Sequence, residues 1–161
     1  MWYEANAYCK WLAKHWEGLY ESYANDETAP RQIRLPLEIE WVFAAGGDRP
    51  KMRYPWDKLG KETTDRDEIV KHTNVSESKI GHTTPVNKYP DGCSPFGVMD
   101  MAGNVWEWQA NSLETEPGGL SLRGGSWKRD LGYAQVSNRG YCPIFNRNNS
   151  LGFRVIIIPH E

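Results

Sequence analysis

Apolar side chains recur at Trp2, Ala5, Cys9, Leu12, Trp16 and Leu19, a 3-4-3-4-3 spacing that lines one stripe of a helix over residues 2 to 20. Cys9 falls on that stripe and reads as a small packed hydrophobe rather than a reactive thiol. Residues 22 to 32 are polar, contain Pro30 and read as a loop. A second helix is predicted from Pro36, because proline suits a first helical position and Glu38 and Glu40 suit the positive end. Leu37, Trp41, Ala44 and Ala45 would face inward, and Gly46-Gly47 would end it. From Asp48 to His82 the chain is polar, with Tyr54-Pro55-Trp56 as its aromatic anchor, which predicts a long surface excursion. Its run Glu62, Asp65, Asp67 and Glu68, interleaved with Lys61 and Arg66, reads as a solvated face. A turn is expected at Gly118-Gly119, and the β-branched run Leu151 to Ile158 predicts a strand buried on both faces. Between Trp127 and Leu151 no stable period is present.

The stretch Gly97 to Trp108 breaks this pattern by placing Trp106 and Trp108 around one carboxylate, Glu107. In an extended segment the two indoles share a face, while Val105 and Glu107 take the other. Gly103-Asn104 just before them tolerates a left-handed turn that brings main-chain carbonyls to a common point. Two readings follow. In one, the stretch is a buried aromatic corner whose Glu107 satisfies donors inside the fold, and spacing alone favours this one. In the other, turned carbonyls, an Asn amide oxygen and a carboxylate form the hard oxygen set that Ca²⁺ prefers.

Composition narrows the class. The 161 residues suit one domain with a real core, and the 15 Gly, 10 Pro and 8 Trp describe a loop-rich, aromatic-heavy chain. A net charge of -2 gives no global attraction to nucleic acid or anionic membrane. Cys9, Cys93 and Cys142 lie far apart, so neither a disulfide framework nor a zinc cluster is implied. His15, His72, His82 and His160 share no metal-ligand spacing, and no Ser or Cys has a local base beside it. No apolar run approaches a membrane span and no basic-then-apolar leader is present, so location is left open. Helical periodicity beginning at the second residue suggests that the chain starts inside a longer one.

Ordered motifs then carry a resemblance. Arg34-Leu35-Pro36 with Glu38 and Glu40-Trp41, Tyr54-Pro55-Trp56, Thr84-Pro85-Val86, Phe96-Gly97, Asp100 to Trp108, Arg123-Gly124-Gly125-Ser126-Trp127 and Gly152-Phe153-Arg154-Val155 stand in the order seen in the formylglycine-generating-enzyme (sulfatase-modifying factor) family. The resemblance implies an α+β, C-type-lectin-like fold: two helices, small antiparallel sheets and much irregular structure. It covers residues 1 to 161 as a single domain that is short at its N-terminus, and it implies that the absent part includes an edge for the Val155 strand. It also implies Ca²⁺ at Gly103, Asn104, Val105 and Glu107, and a second site at Asn74 and Val75. At that second site Ser78 stands where an acidic ligand is aligned, with Glu77 beside it, and affinity falls as ligand charge is lost, so one site is expected, at Glu107 and Asn104, and not two.

Activity depends on the branch. The oxidase branch carries a copper-binding cysteine pair shortly after the Gly-Gly-Ser-Trp motif, whereas here Lys128 to Ala134 contains no cysteine and Cys142 stands further on, alone. A single thiol does not supply the paired soft ligands that Cu(I) prefers, so no copper is expected and the enzyme reading weakens. The sulfoxide-synthase branch carries iron on histidines of another domain. A third branch, including the variable proteins of diversity-generating retroelements, binds ligands with the window between Trp127 and the terminal strand. Here that window offers Arg129, Asp130, Tyr133, Tyr141, Ile144, Phe145, Asn146, Asn148 and Asn149. Tyr and Asn suit an adaptable binding surface, and an ordinary polar loop fits the window equally well. The expected role is a non-catalytic binding module for a protein or small-molecule ligand, with an oxidoreductase completed by an absent segment as the alternative. Trp127 and Phe153 are expected as apolar anchors of the window, and Arg154 as a guanidinium paired inside the fold.

Overall fold

The structure is a computed structural model that describes residues 1–19, 30–46, 52–58, 60–111 and 119–159. In chain order it contains α1 (Trp2–Leu19), β1 (Pro30–Arg34), α2 (Glu38–Gly46), α3 (Arg66–Val70), β2 (Trp106–Trp108), β3 (Gly119–Arg123), β4 (Gly140–Pro143), β5 (Leu151–Gly152) and β6 (Ile156–Pro159). The described part of the α1 stripe is as its spacing predicts: Ala5 and Cys9 pack with Leu35, Trp106, Trp108, Leu122 and Cys142 into one core, and Leu12 is buried, while the Leu19 side chain lies outside the described residues. α2 buries Trp41 and Ala45 against Met101 and Val136. It begins just after Pro36, and its Glu40 carboxylate accepts from the Leu37 N–H at 2.7 Å, which satisfies one of the unpaired donors of the first turn. Leu37 itself is exposed and not inward as its pattern suggested, because it precedes the first helical turn.

The main sheet runs in the order β4-β3-β2-β5, with β2 antiparallel to β3 and parallel to β5. The terminal run does not form one strand buried on both faces. It divides into β5 and β6, and Ile157 is 45% exposed. Between the two, the chain leaves the sheet so that Arg154 reaches Glu107 inside the fold. The edge for the closing strand also lies within this chain: β6 pairs antiparallel with β1, Gln32 opposite Ile158 and Arg34 opposite Ile156. Most of the loop expected over 22 to 32 lies outside the described residues, but its last residues are strand. Gly47, Asp48, Gly118 and His160 also lie outside them.

The described part of the excursion from Asp48 to His82 contributes to the core, contrary to its polar text. Tyr54, Ile69 and Val75 pack with Ala102, Leu131 and Ala134. The Tyr54 ring stacks on Trp56 at 4.9 Å, and its hydroxyl donates to the Leu131 carbonyl at 3.0 Å. Polar residues are buried here because local bonds satisfy them: Asp57 accepts from the N–H groups of Tyr54 and Thr63, at 2.9 Å each. Asp65 caps α3 by accepting from the Glu68 N–H at 2.9 Å, while Asp67 and Lys61 stay at the surface as expected. If this segment is core, Ile69→Ala costs about 2 to 5 kcal/mol in denaturant unfolding. A cost of a few tenths would return the segment to the surface.

Candidate functional site

The Gly103-Asn104 turn is left-handed at both residues, with φ 75 and 62. A Cβ on Gly103 would lie 2.2 Å from Thr73 Oγ1 and 2.5 Å from the Asn74 carbonyl, so glycine is required there. The turn is bound on both sides: Asn104 N–H donates to the Asn74 carbonyl at 2.8 Å, and Trp127 N–H donates to the Asn104 carbonyl at 3.0 Å. It therefore fixes both β2 and the loop that follows β3.

From this turn β2 sends Trp106 and Trp108 into the α1 core and Glu107 the other way. Glu107 is 5% exposed. Its carboxylate accepts from Arg154 Nε at 2.6 Å and Nη2 at 2.7 Å, and from the Trp41 indole N–H at 2.6 Å. Arg154 also donates to the carbonyls of Met99 at 3.1 Å and Asp100 at 3.2 Å. The expectation that Arg154 pairs inside the fold is met by that geometry. A second buried pair lies behind β3, where Arg123 donates to Glu38 at 2.7 Å and to the carbonyls of Val136 and Asn138. Arg139 binds the same Glu38 carboxylate.

Over these supports lies a cleft of about 620 Å³, between the main sheet and the segments around 128–133 and 146–150. Trp106 is part of its lining and lies beneath Gly140, whose added Cβ would meet the indole at 3.1 Å. Tyr133 stands edge-on to Trp106 at 6.2 Å. Of the residues expected to bind ligand, the cleft brings together Arg129, Tyr133, Tyr141, Asn146 and Asn148. The rest are not brought into it. Asp130 caps a short turn by accepting from Gly132 N–H at 2.9 Å. The Asn149 carbonyl accepts from the Trp127 indole at 3.2 Å, the Ile144 carbonyl accepts from Trp2 N–H, and Phe145 is 67% exposed beside the cleft. Lys128 and Cys142 also line it, with Leu122, Ser150 and Leu151, and were not among the expected contacts. Trp127 is only half-buried, and Phe153 is 38% exposed against Tyr8, so neither anchors the window as core. The interior residues of the window are instead Leu131, Ala134, Val136 and Cys142.

Residues 1–158 match the family described as Sulfatase-modifying factor enzyme 1-like domain. The chain belongs to this family. The Inactive C-alpha-formylglycine-generating enzyme 2 of Bos taurus is 32% identical over 130 residues, which cover 78% of this chain and 36% of that protein. The Formylglycine-generating enzyme of Streptomyces coelicolor is 31% identical over 177 residues, 95% of this chain and 49% of the relative. This chain thus spans half or less of the length of these relatives. Treponema denticola variable protein 1 superposes with a TM-score of 0.60 at 29% identity, over 77% of this chain and 47% of that one. PvdO from Pseudomonas aeruginosa gives a TM-score of 0.68 at 24% identity over 98% and 59%, a likeness of fold alone. The α+β architecture is the C-type-lectin-like fold of the family.

The Ca²⁺ ligands expected from the family divide on inspection of their bonds. Glu107 is filled by a guanidinium and an indole, and Asn104 Oδ1 accepts from Thr84 N–H at 3.0 Å and Asn74 Nδ2 at 3.2 Å. With a fixed cation already on the carboxylate, this first set does not fit an added ion; Gly103 and Val105 retain only their carbonyls for it. Asn74 behaves differently. Its amide donates to the His82 carbonyl at 2.9 Å, while its Oδ1 is buried with no hydrogen-bond partner among the described residues. Ser78 does not act as a ligand substitute there: its hydroxyl accepts from Val75 N–H at 3.0 Å and donates to the Thr73 carbonyl at 2.9 Å.

Asp100 escaped the sequence reading. It holds a left-handed φ of 54, accepts from Asn104 Nδ2 at 2.8 Å, and lines a small cavity beside Glu107 and Arg154. Burial pushes its carboxyl up to about 6, with the Asn104 bond and Arg154 opposing and Glu107 adding to the rise. A carboxyl raised on folding favours the fold when protonated, so its contribution is fully present below pH 3.8 and is lost as pH climbs through 6. Asp100→Asn keeps an acceptor and suits the left-handed backbone. The variant is expected to melt higher than wild type above pH 6 and alike near pH 4. An equal Tm difference at both would refute the assignment.

Proposed function

We propose that this domain is a non-catalytic ligand-binding module and that the cleft over the main sheet is its binding face. One observation carries the reading: a rigid sheet, braced by buried ion pairs, presents Tyr133, Tyr141, Asn146 and Asn148 around one concavity. Its volume falls within the roughly 300 to 1,000 Å³ of ligand sites. Tyr supplies contact area at low entropic cost, and Asn supplies adaptable hydrogen bonds. The likeness to Treponema denticola variable protein 1 and the Inactive enzyme 2 sequences supports a binding role. So does the cysteine-free Lys128 to Ala134 segment, where the oxidase branch places its copper pair. No helix among the described residues is long and apolar enough to cross a membrane, which leaves the cleft's setting unassigned.

The test begins from a ligand selected from a chemically diverse library without regard to charge. Tyr133→Ala and Asn146→Ala together should weaken that ligand at least tenfold, while circular dichroism at the assay temperature shows the doubly substituted protein still folded. Retained affinity, or conversion of a sulfatase-type cysteine peptide by the wild-type chain, would remove the reading.

We propose also that Ca²⁺ acts as a structural ion held by Asn74 and the Val75 carbonyl, on the strength of the orphaned Asn74 oxygen. An ion bound to the folded state alone raises Tm with concentration. Millimolar Ca²⁺ should therefore raise Tm in wild type and by the same increment in Glu107→Gln, which begins from a lower Tm. Absence of any rise, or its loss in Glu107→Gln, refutes the Asn74 assignment.

A further inference from the structure

We propose that the cleft over the main sheet selects small molecules that carry an oxyanion on an apolar body, an inference that rests on the ligand-binding reading above and names its ligand class. It begins from an asymmetry among the cations. Every other arginine with a described side chain lies against a Glu carboxylate, inside the fold as Arg123 and Arg154 do or at its surface as Arg66 and Arg147 do. Arg129 has no carboxylate partner among the described residues and lies over the Tyr133 ring, 5.3 Å from its centroid. Lys128 beside it lies over the Trp127 ring at 4.9 Å. Both cations are exposed and line the cleft. A ring face holds a cation in place without using its hydrogen-bond donors. The Arg129 guanidinium therefore keeps the planar fork that matches an oxyanion, and the Lys128 ammonium adds a second charge beside it.

The neutral polar groups of the cleft act in the same sense. Asn148 Oδ1 accepts from the Ser150 N–H at 2.9 Å and from the Ser150 hydroxyl at 2.8 Å. A main-chain N–H can only donate, so this bond fixes which end of the amide faces Ser150 and leaves the Asn148 NH₂ group for a ligand. Asn146 gives one N–H to the weak acceptor Cys142 Sγ at 3.2 Å, and its second has no partner among the described residues. No Asp or Glu lines the cleft, and the neighbouring Asp130 turns its carboxylate to the Gly132 N–H. Free donors and surplus positive charge thus surround one concavity.

Beneath them Trp106, Leu122 and Leu151 form an apolar floor. An inorganic anion would leave that floor uncovered, and an uncharged apolar ligand would leave the donors unpaired. An oxyanion on an apolar body satisfies both, and a cleft of about 620 Å³ has room for a small ring system.

Ligands that share an indole body isolate the charge: indoleacetate with a planar anionic head, indoxyl sulfate with a tetrahedral one, neutral indoleacetamide and cationic tryptamine. In isothermal titration calorimetry at least one of the two anions should bind about tenfold tighter than the amide, the scale of a charge-assisted bond, with tryptamine weakest. That margin should shrink at high salt, and the order of the two anions tells which head the cleft prefers. Acetate and inorganic sulfate should bind far more weakly than their indole counterparts. Arg129→Gln should remove the margin, Arg129→Lys should retain part of it, and Lys128→Gln should reduce it. Lys71→Gln, which deletes an exposed cation outside the cleft, should leave it intact. Circular dichroism at the assay temperature verifies that each variant is folded. Equal binding of the anions and the amide, or a margin that Arg129→Gln leaves unaltered or Lys71→Gln lowers equally, overturns the charge selection while leaving the cleft as a binding face. Acetate or sulfate binding as tightly as the indole anions overturns the apolar body. Failure of every probe overturns this inference too, while the ligand selected without regard to charge reports separately on the cleft.

Discussion

A buried carboxylate between a guanidinium and an indole is the constraint on which the other parts rest. Glu107 lies in the middle of β2, and its partners come from distant segments, Trp41 from α2 and Arg154 from the stretch before β6. Removing one member of such a buried set leaves an uncompensated charge, at a cost of roughly 3 to 5 kcal/mol. The set thus specifies more than it stabilises. With Glu107 held on one face, alternation requires Trp106 and Trp108 to face α1, and the cleft acquires its indole wall. Glu38 repeats the device behind β3, where Arg123 and Arg139 fasten the 136–139 segment to α2.

Periodic and covalently local features were legible in the sequence. The α1 stripe could be read because a helix repeats its buried face, and Arg154 could be given an internal partner because a lone interior cation is prohibitive. The left-handed turn at Gly103-Asn104 followed from residue chemistry. The segment from Tyr54 to Val75 was not legible, since its buried residues are scattered among polar ones whose satisfaction depends on partners such as the Leu131 carbonyl. β1 was hidden for a similar reason: an isolated two-stranded pair has no strong alternation, and Pro30 marks it as a loop. The division of the terminal run into β5 and β6 depends on a partner, Glu107, that no local pattern announces.

The candidate site was legible to a comparable degree. Absence of an inward period correctly marked Arg129, Tyr133, Tyr141 and Asn148 as surface residues, and the fold gathers them. The same absence concealed Leu131, Ala134, Val136 and Cys142, because irregular backbone can bury single residues without repeating. Asp100 was missed because its character comes from neighbours brought to it by folding. Family resemblance suggested Glu107 and Asn104 as ion ligands, and the bonds of this chain assign their oxygens to Arg154, Trp41 and Thr84 instead.

Pairing between β1 and β6 carries a kinetic consequence. The two strands are far apart in sequence, and Arg34 lies opposite Ile156. Closing so long an intervening chain has a large entropic barrier, and contacts of wide sequence separation slow the search for the native arrangement. The guanidinium that completes the Glu107 set lies just before β6, so during synthesis β2 emerges well ahead of its counter-ion. Until Arg154 leaves the ribosome, the carboxylate must remain hydrated, and the core around Trp41 stays loose. The nascent domain therefore passes through an interval in which aromatic surface is exposed and the chain is open to aggregation or chaperone capture.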